Sequence, residues 1–169
     1  MAARISLRDY QRELATRLQG AASRHAASKL GLQVGAEAWL VDLADAGEVV
    51  PVPAITPVPL ARPWFRGVSN IRGNLYSVVD FSVFLGGAAA TPSEQARLLL
   101  LGERFRMGCA LLVDRALGLR NPEDLRPLSP EAPRSPWLRA EYGDKQGARW
   151  KELNVAQLVR QPEFLAAGA

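Results

Sequence analysis

Cysteine occurs once in this chain, at Cys109, and histidine once, at His25. An internal disulfide is therefore excluded, and a reducing compartment fits. One thiol and one imidazole cannot build a tetrahedral structural zinc site, and no carboxylates stand at a spacing that would complete one. Neither a metal nor a cofactor is expected. Long apolar runs are missing too: the purest one in the middle of the chain is LLLL at 98–101, far short of the ~20 residues that span a bilayer. The opening MAARISLRDYQREL becomes charged too early for the apolar core of a signal peptide. The expected location is cytoplasmic, with no direct membrane insertion.

The usual signatures of catalysis are also absent. No Gly-Lys-Ser/Thr follows Gly67 or Gly73, so there is no Walker loop, and no dinucleotide fingerprint is present. No serine sits in a Gly-x-Ser-x-Gly elbow, and a single histidine offers no triad. Glu48, Asp80 and Asp114 could serve as paired carboxylates only if the fold gathered them. No catalytic residue is expected. His25, in SRHAASK, reads as a surface residue, and Cys109, in RMGCALLV, as a buried strand residue.

What remains is an ordinary soluble composition: 169 residues, 48% hydrophobic and 22% charged, net charge +4. Such a length supports one compact domain burying roughly 70% of its unfolded surface. The first sixty residues hold six basic and six acidic side chains, whereas 61–79 contains Arg62, Arg66 and Arg72 and no acid. That patch is small beside the basic stripes of nucleic-acid binders. A small-barrel nucleic-acid protein using Arg62, Arg66 and Arg72 is nonetheless the alternative reading.

Hydrophobic periodicity divides the chain. Ser6 and Asp9 open a helix over about 7–20, with Leu7, Tyr10, Leu14 and Leu18 on one face. That face could dock on the domain's own core, meet a partner or drive self-association. From residue 32 the pattern changes to short strands: LQV, AWLVDL (38–43) and EVVPV (48–52). Prolines 57, 59 and 63 make the next stretch an extended connection without a central strand. VSNIR and LYSVVDF form a hairpin turning at Gly73-Asn74, followed by one helical turn in SVFLGG. GAAATPS (87–93) reads as a linker, and ARLLLL with FRMGCALLVD as a second strand group around a GER loop. The proline-dense RNPEDLRPLSPEAPRSPW should be extended surface chain, and Asn154 and Pro162 start two short terminal helices. Without βαβ alternation, a doubly wound nucleotide-binding sheet is not expected, and frequent short strands favour small barrels.

Arg72, at the rim of the hairpin, cannot be buried cheaply without a partner. A solvated loop arginine is the plain reading, and a phosphate contact or a protein interface are the sharper ones. Trp64, following Pro63 on an extended segment, more often belongs to a core than to an interface.

The order of motifs resembles the CheW family of chemotaxis coupling proteins. Glu48 follows an early strand, and ITPVP makes the proline-containing connection. Then come Gly67-Val68-Ser69-Asn70-Ile71-Arg72-Gly73, Val79-Asp80-Phe81, Leu85-Gly86 and, later, ALLVD at 110–114. The likeness covers about 32–160, and the wording of RPWFRGVSNIRGNLYSVVDFSVFLG is nearest to the branch serving type IV pilus (twitching) chemosensory systems. The resemblance implies a mainly β fold of two small SH3-like five-stranded barrels, with an N-terminal helix in 1–30 and a CheW-like domain over 31–165. Within that domain the expected parts are a first barrel at 31–86, a linker at 87–93, a second barrel at 94–153 and helices at 154–166. It implies a non-enzymatic adaptor between a chemoreceptor's cytoplasmic hairpin tip and the regulatory domain of a CheA-type histidine kinase. Glu48, Val49, Val50, Asn70, Arg72 and Gly73 fall at receptor-binding positions, and Gly67 and Val68 at kinase-binding ones. Val49 and Val50 should then line an open aliphatic cleft between the barrels. The apolar residue usual two places before Glu48 is Ala46 here, and Pro51-Val52-Pro53 interrupts a normally regular strand.

Overall fold

The computed structural model describes residues 28–128 and 135–168. The helix expected at 7–20 and His25 lie outside them. In chain order the strands are β1 (Lys29–Val34), β2 (Glu37–Asp42), β3 (Ala46–Pro51), β4 (Phe65–Ile71), β5 (Asn74–Asp80), β6 (Arg97–Leu101) and β7 (Cys109–Val113). β8 (Arg115–Arg120), β9 (Leu125–Pro127), β10 (Leu138–Asp144) and β11 (Arg149–Leu153) follow. Three single-turn α-helices, α1 (Phe81–Phe84), α2 (Val155–Leu158) and α3 (Pro162–Leu165), and two 3-10 turns at Glu103–Phe105 and Pro122–Asp124 complete the described elements. The fold is mainly β, in two small subdomains.

The strands build a six-stranded sheet in the order β8-β1-β2-β11-β10-β9 and a five-stranded sheet in the order β3-β6-β7-β5-β4. These sheets do not follow the expected division at 87–93. β1 and β2 join β8–β11 through the parallel β2/β11 pair, while β3, β4 and β5 join β6 and β7 through the parallel β5/β7 pair. Long-range pairing thus overrides chain order. One sheet also has six strands instead of five, because β8 adds along the outer side of β1.

Alternation along the strands explains the packing. On β6, Leu98 and Leu100 face one cluster, with Val50, Ile71, Val78, Ala110 and Leu112. Leu99 and Leu101 face the opposite way, into a larger cluster with Leu111 and Val113 of β7 and with Leu32, Trp39, Val41 and Leu153 of the other sheet. β2 behaves likewise: Trp39 and Val41 enter the shared cluster, while Leu40 turns to Trp150 and Leu125. Each sheet therefore has its own small interior, and the largest apolar cluster lies between the sheets. The open cleft expected between the barrels is filled by this cluster.

The proline-rich stretch before β4 contains no regular strand, only the isolated bridge Thr56–Val68 and a second one, Ala61–Gly168. The 87–93 connection is irregular but anchored. Asp80, fully buried, accepts the Val83 N–H at 3.2 Å to cap α1, and with its other oxygen the Ala90 N–H at 3.0 Å. Asn154 caps α2 through the Gln157 N–H, and Pro162 opens α3, as expected. β8 and β10 stand where no strand was expected. Both are polar and mostly exposed or half-buried, so pairing with β1 and β11 makes them strands rather than their own apolar pattern.

Candidate partner-binding site

The β4–β5 hairpin closes through Arg72 and Gly73, one residue earlier than expected. Its register pairs Ile71 with Asn74, and both intervening residues have positive φ, 53° for Arg72 and 86° for Gly73. That is the requirement of a two-residue primed turn, whose right-handed twist suits the flanking strands. Arginine in the left-handed region costs about 1–2 kcal/mol. The Asn70 carboxamide offsets part of this by accepting the Gly73 N–H at 2.8 Å.

From this position the Arg72 guanidinium reaches Glu48 on β3. Nη1 donates to Oε2 at 2.8 Å and Nη2 to Oε1 at 2.6 Å, a two-pronged pair. β3 and β4 are the two edges of the five-stranded sheet, so the pair spans edges that share no ladder. Both side chains remain open to solvent, at 73% and 44% relative exposure. Sequence reasoning placed both residues at the same surface but did not pair them. The neighbouring valines divide: Val49 is half-buried against the inter-sheet cluster, whereas Val50, at 7% exposure, lies inside the five-stranded subdomain. Successive strand residues face opposite ways, so both cannot face a partner. Val50 is a core residue, which corrects its expected place in the cleft.

Gly67 is buried, with φ of 130°, and a Cβ there would stand 2.0 Å from the Thr56 carbonyl oxygen. Its lack of a side chain lets the 52–57 backbone lie against β4, where Val68 exchanges two hydrogen bonds with Thr56. Val68 itself is half-buried. The three arginines of the alternative reading are each engaged. Arg62 Nε donates to the Gly168 carbonyl at 3.3 Å, Arg66 lies 3.9 Å from the Asp80 carboxylate, and Arg72 is paired with Glu48. Two of the three charges thus face an acid, which weakens the patch as a phosphate site. Burial pushes the Cys109 thiol up to about 12, so it is protonated at neutral pH and no nucleophile.

At the base of the same hairpin lies a pocket of about 210 Å³, lined by Trp64, Phe65, Met107, Cys109, Phe164 and Leu165 among others. Trp64 is half-buried there, stacked on Phe164 and edge-on to Phe84. A larger cleft of about 520 Å³ lies elsewhere, between the β1–β2 turn and residues 85–91. Small residues line most of it, and the Asp114 carboxylate at its edge accepts the Gly35 N–H at 2.6 Å.

Residues 29–163 match the model of the CheW-like domain. The chain belongs to the CheW-like family. It is 29% identical to Protein PilI of Pseudomonas aeruginosa over 144 residues, covering 82% of this chain and 78% of that protein. Two proteins called Chemotaxis protein CheW are similar over shorter spans. That of Thermotoga maritima is 28% identical, over 53% of this chain and 58% of its own length. That of Rhizobium meliloti is 32% identical, over 50% and 54%. Among solved structures, the scaffolding protein TtCheW of Thermoanaerobacter tengcongensis shares the fold, with a TM-score of 0.64 at 18% identity, over 76% of this chain and 89% of that one. The CheW-like match includes every residue of the hairpin site and ends just before Phe164.

Proposed function

We propose that this chain is a non-enzymatic adaptor that couples a chemoreceptor's cytoplasmic hairpin tip to the regulatory domain of a CheA-type histidine kinase. The similarity to PilI supports a place in chemosensory control of type IV pilus twitching. No helix among the described residues is long and apolar enough to cross a membrane, which fits a cytoplasmic protein recruited to receptor arrays through its partners.

The observation that carries this reading is the exposed Glu48–Arg72 pair, next in sequence to the half-buried Val49. A packed helical tip presents apolar ridges with charged flanks. Apolar burial against Val49 supplies affinity, while the oriented guanidinium sets register and encounter rate. Asn70 and Gly73 hold Arg72 in place. Val68, next to Gly67, is the surface proposed for the kinase.

Arg72→Asp tests the receptor assignment. Aspartate tolerates a left-handed backbone better than most residues, and an exposed ion pair contributes no more than about 1 kcal/mol, so the fold should persist. Co-sedimentation with receptor-containing membranes should fall by roughly tenfold or more, as for a charged anchor at an interface. Unchanged co-sedimentation would refute the assignment.

A further inference from the structure

The larger cleft, of about 520 Å³, takes no part in the hairpin site. β5 leaves the Arg72–Gly73 turn at Asn74 and ends at Asp80, and the cleft begins just beyond that far end, at Ser82 on α1 and Leu85 after it. β7 runs parallel to β5 and delivers Asp114 to the same end, beside the β1–β2 turn at Gly35. The volume lies within the range of ligand sites. The two charged residues of the lining, Glu37 and Asp114, are both acids. Among the described residues no lysine or arginine lines it, in a chain of net charge +4.

Ser82 marks the floor of the cleft. It is only 6% exposed, and its hydroxyl bonds no other group among the described residues. A buried hydroxyl is costly to keep unless a partner meets it. Its Oγ lies 3.3 Å from where a Cβ on Gly35 would stand and 2.8 Å from one on Gly87, so the two glycines leave the hydroxyl uncovered. Gly35 also meets Asp114, whose Oδ2 accepts the Gly35 N–H at 2.6 Å. No ion pair engages Asp114 among the described residues. Glu37, by contrast, is held by Lys151 and by the Trp39 Nε1–H at 3.1 Å. Asp114 therefore carries the uncompensated charge of the cleft.

We propose that this cleft is a second binding site, for an alkylammonium group: a positively charged amine at the end of an aliphatic stem. Asp114 supplies the counter-charge, and Ser82 supplies a hydroxyl oxygen bordering the same glycine. An ammonium brings three donors and no acceptor, and charge-assisted hydrogen bonds are the stronger kind. A guanidinium fork fits less well, because the Gly35 N–H already occupies one oxygen of the carboxylate. Half-buried Leu85 and the methyl groups of Ala36, Ala88 and Ala89 give the stem a shallow apolar wall. Such a group is carried by a free amine or by a lysine side chain of another protein. Because the cleft stands at the far end of β5, its occupation leaves Arg72 open.

The test follows backbone amide signals of the full chain by NMR at fixed ionic strength, titrated with n-butylamine and with a capped Ala-Lys-Ala peptide. Saturable shifts at Gly35, Ala36, Ser82 and Thr91 are expected for at least one probe, with a Kd of about 10 mM or tighter. Binding of the peptide alone points to a lysine of a protein partner, and binding of the amine alone to a free amine; binding of both means that the head group suffices. The uncharged counterparts, n-butanol and a capped Ala-norleucine-Ala peptide, should bind roughly tenfold more weakly or worse. Asp114→Asn keeps an oxygen for the Gly35 N–H and should weaken binding by roughly tenfold; Ser82→Ala, which breaks no hydrogen bond of the fold, by roughly fivefold. Arg72→Asp should leave it unchanged, which separates this site from the receptor assignment. The site is overturned by an absence of saturable shifts with both probes, by equal binding of the uncharged counterparts, or by unchanged affinity in Asp114→Asn or Ser82→Ala.

Discussion

Arg72 occupies a turn position where glycine or asparagine would be easier, and the reward for placing arginine there is directional: a fork held across two sheet edges. The motif Asn-Ile-Arg-Gly announced a turn, but not that the arginine would itself be a turn residue. Twist matching chooses Arg72-Gly73 over Gly73-Asn74, and no single residue carries that information. Gly67 shows the reverse case. Its motif position was legible, yet the reason for glycine is a backbone approach from Thr56, eleven residues away. Gly67→Ala should therefore destabilise the fold by at least about 2 kcal/mol, since both the positive φ and the contact oppose a Cβ. Urea unfolding would measure it; a loss below 0.5 kcal/mol, about the size of an ordinary surface change, would mean that β4 does not depend on this approach.

At the scale of elements, an ionic network ties β1, β2, β10 and β11 together. Lys29 Nζ donates to Asp42 at 2.6 Å and to Glu152 at 2.9 Å, and Arg139 bonds the same two acids at 2.7 and 3.1 Å. Tyr142 donates to Glu152 at 2.7 Å, completing a set around a carboxylate only 2% exposed. Burial acts to raise the Asp42 pKa, but the hydrogen bonds and charges of Lys29 and Arg139 outweigh it and hold it below 3.8. Burial acts to lower that of Lys29, and the bonds to Asp42 and Glu152 carry it above 10.5 instead. A depressed carboxyl stabilises the fold above its unfolded pKa and loses that contribution as pH falls through the folded one; a raised amine does so below its unfolded pKa. The expected result is an Asp42→Asn variant less stable than the parent at neutral pH, with the difference vanishing as pH drops below about 3.8. Urea titrations across pH 2–8 would show it, and a difference independent of pH would rule out the ionic account. None of this was legible beforehand, because β10 pairs with β11 in a register that only the folded sheet defines.

For the whole molecule, the decisive feature is that the largest apolar cluster belongs to both sheets. Leu111 is fully buried on the face of β7 that meets the six-stranded sheet. Leu111→Ala should cost about 2–5 kcal/mol and lower a single cooperative transition, because neither sheet keeps this core without the other. Two separable transitions in calorimetry would contradict a shared core. The exchange of β1 and β2 into the sheet of the later strands produces this arrangement, through parallel pairs that join distant parts of the chain.

The sequence by itself determined the local grammar: short alternating strands, the turn at Arg72-Gly73 to within one residue, the single turn after Asp80, the cap at Asn154, the helix start at Pro162, and a buried Cys109. Each of these follows from neighbours a few residues apart. Tertiary structure alone decided which strands share a sheet, which of Val49 and Val50 faces inward, that Arg72 meets Glu48, and that the 161–168 segment walls a pocket with Trp64 and Phe65. The physical reason is range. Backbone preference and alternation act within a few residues, whereas pairing of sheet edges, burial between layers and ion-pair geometry depend on residues brought together only when the chain folds.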